Sequence, residues 1–226
     1  MIRAIVTDIE GTTTSISFVK EILFPYARER LPRFVREQGG VPEVRAQLDE
    51  ARRILEDAEA SDEAITAHLQ AWIDQDRKLT PLKSLQGMIW EEGYRCGDLR
   101  GHVYPDAPAQ LARWHEQGIA LYVFSSGSVQ AQRLLFGFSE AGDLTPLFSG
   151  YFDTRIGAKG DARSYRAIAA EIRVQPEEML FLSDLPAELD AARDAGLATC
   201  QVLRPGTPKS ANFNAAETFS QVVLPF

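Results

Sequence analysis

The residues able to do chemistry stand directly after short apolar runs, at four places along the chain. Ile2–Thr7 ends in Asp8-Ile9-Glu10-Gly11-Thr12-Thr13, and Ile119–Phe124 ends in Ser125-Ser126-Gly127-Ser128. Gly150–Phe152 leads through Asp153-Thr154 to Ile156-Gly157-Ala158-Lys159-Gly160, and Met179–Leu182 ends in Ser183-Asp184. Together these supply two or three carboxylates, a hydroxyl pair beside glycine and one lysine, a set suited to phosphoryl transfer. A carboxylate can attack phosphorus and form an aspartyl-phosphate, which splits a difficult hydrolysis into two steps; Asp8 is the candidate nucleophile. Two anions approach only with a cation between them, and Mg²⁺ takes carboxylate, carbonyl and water oxygens. Asp184 is placed to supply a second carboxylate to that ion. Glu10, followed by the permissive Gly11, can protonate a leaving oxygen and later activate water. Ser125 or Ser126, with loop N–H groups, can hold phosphate oxygens, and Lys159 can offset charge in the transition state.

Each piece alone has an ordinary explanation. An Asp at a strand end is commonly a turn residue, a Ser run caps the following helix, and a Lys between glycines is a solvated loop residue. Their order is what counts, because four successive strand ends carry complementary parts.

The elements that must position them follow from the apolar pattern. Ile2–Thr7 is nearly continuously apolar and too short for a helix, as in a buried parallel strand. From Phe18 to Arg100 the pattern is helical throughout. Pro25 and Pro32 are expected to interrupt its first stretch, Gly39 and Gly40 to end it, and Val44–Ala58 to follow as an acidic helix. Ser61 and Thr80-Pro81 read as further helix starts. Beyond Arg100, strands expected at Ile119–Phe124, Gly150–Phe152, Met179–Leu182 and Ala198–Leu203 alternate with helices from Asp106 to Gly118, Ser164 to Ile172 and Ala187 to Ala195. Such alternation implies an α/β fold, a doubly wound parallel sheet. The helical stretch after the first strand is far too long for a connection. It reads as a cap subdomain, residues 15–100, inserted into a core of residues 1–14 and 101–226.

Composition narrows the classes. The chain has 226 residues, 45% of them hydrophobic and 25% charged, which excludes disordered and fibrous proteins. Its net charge of −8 disfavours nucleic acid as a partner. No apolar run reaches a membrane span and the N-terminus lacks a signal-peptide pattern, so no membrane partner and a cytoplasmic location are expected. Cys96 and Cys200 make neither a disulfide framework nor a zinc site. His68, His102 and His115 fall in no metal-ligand spacing and are read as structural. A monomer is expected.

The constellation resembles the haloacid dehalogenase superfamily, whose phosphatases carry Asp-x-Asp on the first strand, Ser or Thr on the second, then Lys, then an acidic residue. That superfamily also places a helical cap after the first strand. Glu10 replaces its second Asp, and with this departure Asp8-Ile9-Glu10-Gly11-Thr12-Thr13-Thr14 resembles the acireductone synthase family, the enolase-phosphatases of methionine salvage. Asp76-Arg77-Lys78, Leu85-Gln86-Gly87 with Trp90, Tyr122 to Val129, Phe152-Asp153-Thr154, Ser164-Tyr165 and Arg204-Pro205-Gly206 agree. The resemblance implies 2,3-diketo-5-methylthiopentyl-1-phosphate as substrate, enolised and then dephosphorylated. It also implies one Mg²⁺ per subunit, held by Asp8, Asp184 and the main-chain carbonyl of Glu10, and substrate contacts from Ser125, Ser126 and Lys159. For enolisation a base must take a carbon-bound proton. Glu10 is one candidate, and Glu91 or Glu92 in the cap is another. Arg77, Lys83 and Arg95 could bind the diketone, and Trp72, Met88, Ile89, Trp90 and Tyr94 could line an apolar pocket, although solvated faces and ordinary core account for such residues first. Rival readings are a capped sugar-phosphate phosphatase, and a non-enzymatic receiver-like phosphoacceptor, against which the long insertion speaks.

Overall fold

The computed structural model describes residues 1–225. The chain forms two compact units, Met1–Ile16 with Arg100–Phe226, and Ser17–Leu99. The seams fall after Ile16 and Leu99, where the sequence pattern placed them after residues 14 and 100.

The first unit is built on β1 (Ala4–Thr7), β2 (Ala120–Phe124), β3 (Gly150–Phe152), β4 (Met179–Ser183), β5 (Ala198–Val202) and β6 (Ala215–Ala216), in the order β3-β2-β1-β4-β5-β6. Every pairing is parallel, so all strands end at the same edge. The chain belongs to the α/β class expected from its alternating pattern. β1 lies between β2 and β4, so both of its edges are hydrogen-bonded, and all four of its residues are buried. One face packs Ala4, Val6, Phe124 and Phe181 against Tyr165 and Ile168 of α7 (Ala162–Ile172) and Leu189 of α8 (Pro186–Asp194). Phe181 is fully buried, which contributes about 1.5–3 kcal/mol. β6 escapes the sequence pattern because it is two residues long and sits at the sheet edge.

Two further helices, α5 (Ala107–Glu116) and α6 (Val129–Gly137), complete this unit. Asp106 precedes α5 but makes no side-chain cap bond. Its carboxylate is taken by Arg204 at 2.7 Å and by the Phe219 N–H at 2.7 Å. Where the chain leaves this unit and re-enters it, the two segments are joined. Tyr104 N–H donates to the Thr13 carbonyl (2.9 Å), Ser15 N–H to His102 Nδ1 (3.1 Å), and the Thr14 hydroxyl to the His102 carbonyl. His102 thus has a structural role.

The second unit has a π-helical turn, Phe18–Leu23, running into α1 (Phe24–Gln38), then α2 (Pro42–Leu55), α3 (Asp62–Asp74) and α4 (Thr80–Cys96). Leu31, Leu48, Ile65, Leu69 and Leu85 are buried among these helices. The expected interruptions at Pro25 and Pro32 do not occur. Pro25 lies at the junction where the π-helical turn passes into the first turn of α1. Pro32 sits inside the helix and leaves the Arg28 carbonyl without its N–H donor; Gln70 Nε2 of α3 donates to that carbonyl instead, at 3.0 Å. Ser61 caps α3 through Ala64 N–H at 3.2 Å, as its position suggested. α2 begins at Pro42 and stops at Leu55, short of Ala58, because Glu56 turns left-handed at φ 56°. Among the described residues, no helix is long and apolar enough to cross a membrane.

Candidate active site

The register of the sheet gathers the strand ends. Thr7 lies opposite Val123 on one side and Leu182 on the other, so Asp8 neighbours Phe124 and Ser183, with Ser125 and Asp184 one residue further. Asp8 is buried, and its N–H continues the ladder to the Leu182 carbonyl at 2.9 Å. The chain then turns tightly, with the N–H groups of Thr12, Thr13 and Thr14 all directed at the Ile9 carbonyl at 2.9–3.1 Å. Gly11 makes this turn possible. Its φ is +76°, and a Cβ there would stand 2.5 Å from Asp184 Oδ2, so both the backbone conformation and the close approach require glycine.

Lys159 is brought in from the loop before α7, with only 9% of its surface exposed. Its ammonium lies 2.5 Å from Asp8 Oδ1 and 2.6 Å from Glu188 Oε2. The loop is held by α7, through the Tyr165 hydroxyl donating to the Lys159 carbonyl and the Ser164 hydroxyl to the Ala158 carbonyl, both at 2.7 Å. Burial alone would lower the Lys159 pKa, but Asp8 and Glu188 outweigh it and raise it, so the group stays charged.

Glu188 was not singled out in the sequence. It sits in the first turn of α8, four residues past Asp184, and its Oε2 also accepts from the Ser183 hydroxyl at 2.9 Å. The signal present was Pro186, which marks a helix start directly behind the strand end. Burial, followed by the charge of Asp8, pushes the Glu188 carboxyl up to about 7. The same two causes push Asp184 up to about 6, with a smaller contribution from Glu10. Asp8 and Glu188 share one ammonium, whose charge also acts on Asp184.

Asp184 Oδ1 is buried and accepts no hydrogen bond among the described residues. An orphaned carboxylate oxygen in a surplus of negative charge fits a hard divalent cation with oxygen ligands. No group of three or more His, Cys, Asp or Glu side chains among the described residues is arranged to hold a metal; an ion with two carboxylate ligands and several waters is a common arrangement for Mg²⁺.

On the other flank, Ser125 N–H donates to the Phe152 carbonyl at 3.1 Å and Ser125 Oγ accepts from Gly127 N–H at 3.1 Å. Ser125 is buried and Ser126 is exposed. The capping role that could have explained the whole run belongs to Ser128, which accepts from Ala131 N–H at 3.2 Å. Gln132 pins the loop by donating to the carbonyls of Gly127 and Phe152, both at 2.8 Å. Asp153 is not part of the acidic cluster. It accepts from the N–H groups of Arg155 (2.9 Å) and Val129 (3.4 Å) at the start of α6.

In the helical unit, Trp72, Ile89, Trp90 and Tyr94 are buried, and Trp90 Nε1 donates to the Leu23 carbonyl at 2.8 Å, as ordinary core residues do. Met88 and Lys83 are partly buried and Arg77, Glu92 and Arg95 exposed, with Glu91 paired to Arg95 at 2.7 Å.

A central parallel sheet carrying a buried Asp, a Ser loop, a buried Lys and a second Asp at consecutive strand ends matches a known hydrolase architecture. The sequence profile of the haloacid dehalogenase-like hydrolases covers residues 2–196, and the chain belongs to that family. Enolase-phosphatase E1 of Methylococcus capsulatus is 59% identical over 222 residues, spanning 98% of each chain. The protein of the same name from Pectobacterium carotovorum is 55% identical, over 100% of this chain and 98% of its own. The crystal structure of the UTR4 protein of Saccharomyces cerevisiae superposes with a TM-score of 0.84 at 34% identity, covering 98% of this chain and 100% of its own.

Proposed function

We propose that the protein is a Mg²⁺-dependent enolase-phosphatase, an acireductone synthase of methionine salvage. It converts 2,3-diketo-5-methylthiopentyl-1-phosphate to 1,2-dihydroxy-3-keto-5-methylthiopentene and phosphate. The observation that carries the phosphatase half is the buried Lys159 ammonium bridging Asp8 and Glu188 beside an unpartnered Asp184 oxygen. The enolase half rests on the Enolase-phosphatase E1 relatives.

In this reading Asp8 attacks phosphorus through Oδ2 while Lys159 holds Oδ1, and an aspartyl-phosphate forms as the alcohol oxygen leaves. Glu10 donates the proton to that oxygen and then takes one from the water that cleaves the acyl-phosphate. Ser125 and Ser126 hold phosphoryl oxygens, and Lys159 remains charged to meet the transition state. Glu188 keeps Lys159 in place. Asp8, Asp184 and the main-chain carbonyl of Glu10 would hold one Mg²⁺, which when bound offsets the local negative charge and polarises a phosphoryl oxygen. In the enolisation step Glu10 is the core's own candidate for the base.

Single-turnover ultraviolet monitoring of the diketone phosphate with Mg²⁺ tests the assignment. An enol signal should precede phosphate release, and a phosphate burst without it would overturn the bifunctional reading in favour of a plain phosphatase. Asp8→Asn should cut phosphate release by about a thousand-fold or more; near-normal turnover would remove Asp8 as nucleophile. Chelation should stop hydrolysis, and Mg²⁺ should restore it.

A further inference from the structure

The main chain of Asp184 is gripped from two sides. Its N–H donates to Thr12 Oγ1 at 3.1 Å, and its carbonyl accepts from Gln201 Nε2 at 3.0 Å. Thr12 and Gln201 are both completely buried. The orientation of the Gln201 amide is itself fixed, since Nε2 also donates to the Pro208 carbonyl at 3.1 Å while Oε1 accepts from Ser210 N–H at 2.8 Å. A flipped amide would set oxygen against two carbonyls. Thr12 is held in turn by Arg204, whose Nε donates to the Thr12 carbonyl at 2.8 Å. Arg204 is buried to 7% exposure, lies over the Tyr104 ring at 4.1 Å, and is locked by Asp106 at 2.7 Å.

We propose that Arg204 and Gln201 are positioning residues of the metal site, acting on Asp184 through its peptide groups. Neither touches the reacting atoms. Since Asp184 Oδ1 accepts no hydrogen bond among the described residues, the aim of that carboxylate comes from its backbone. Arg204 sets the height of the Thr12 turn, the Thr12 hydroxyl sets the Asp184 N–H, and Gln201 closes the grip on the carbonyl. Groups that orient a ligand in this way control metal affinity without binding the metal.

The inference rests on the reading of Asp184 as a metal ligand, and one experiment separates the two. Mn²⁺ is titrated into the metal-free, full-length protein and the free ion followed by electron paramagnetic resonance, with circular dichroism as the check on folding. Asp184→Ala should abolish tight binding; wild-type binding in that variant overturns the ligand reading itself. Thr12→Val, Gln201→Met and Arg204→Met should each weaken Mn²⁺ binding on the order of ten-fold, and Thr12→Ser, which restores the hydroxyl, should bind as the wild type does. If Asp184→Ala loses binding while folded Thr12→Val and Gln201→Met keep it, the positioning role is wrong. Should Arg204→Met not fold, the Thr12→Val and Thr12→Ser pair, which breaks and restores the last link alone, decides the matter.

Discussion

Lys159 does two jobs whose energetics differ. In the proposed mechanism it meets a phosphoryl anion, but in the protein by itself it is the cation nearest Asp8 and Glu188, at 2.5 and 2.6 Å. Removing one member of a buried ion cluster leaves its partners uncompensated, which costs about 3–5 kcal/mol. Lys159→Met should therefore lower the unfolding free energy by about 3 kcal/mol in urea titrations of the metal-free protein. Adding Glu188→Gln should recover part of that loss, because it removes one of the stranded charges. A residue that served only the substrate would show neither effect. The phosphate-release rate of Lys159→Met should fall by about a hundred-fold or more, the order found when a preorganised charge-stabilising group is deleted, and the second substitution should not restore it.

At the scale of elements, the helical unit carries its own electrostatic fastening. Asp62, at the start of α3, accepts a bidentate pair of bonds from Arg45 of α2, both 2.8 Å, and a further one from Arg52 at 2.5 Å. The Arg45 bonds chiefly, and the single Arg52 bond besides, hold its carboxyl down to about 2 against the opposing effect of burial. A carboxyl lowered in the folded state contributes stability above its unfolded pKa near 4, and that contribution is lost as pH falls toward about 2. The gap in thermal midpoint between wild type and Asp62→Asn should thus be full above about pH 4 and closed near pH 2. Ser61, which caps this same helix, was readable because a cap is a local feature of the chain. The strand ends holding Asp8, Ser125, Lys159 and Asp184 were readable for a related reason: buried parallel strands leave apolar runs that stop where the polar edge begins. Glu188, Gln201 and Arg204 were not. Their partners lie far off in the sequence, and nothing in a lone Gln or Arg announces which carbonyl it will meet. Pro32 misled for the same cause, since its rescue comes from Gln70 on another helix.

For the molecule as a whole, an acidic protein that takes a phosphorylated substrate must draw it by local rather than global charge. A net charge of −8 opposes an anionic substrate at long range, and salt screens that repulsion beyond about 8–10 Å. With Mg²⁺ saturating, kcat/KM should hold level or rise between about 20 and about 200 mM salt. A fall of several-fold would mean that a positive field reaches well beyond the site. The joined segments at Thr13–Ser15 and His102–Tyr104 carry a different consequence. Their hydrogen bonds close the excursion to the helices inside the sheet-bearing unit, like the rim of a socket. The entropy of closing a loop grows only logarithmically with its length, about 0.6 kcal/mol per doubling. Changing the length of the segment between residues 16 and 100 therefore alters the cost of closing it by little, and the strand register that holds Asp8 is made within the sheet-bearing unit alone.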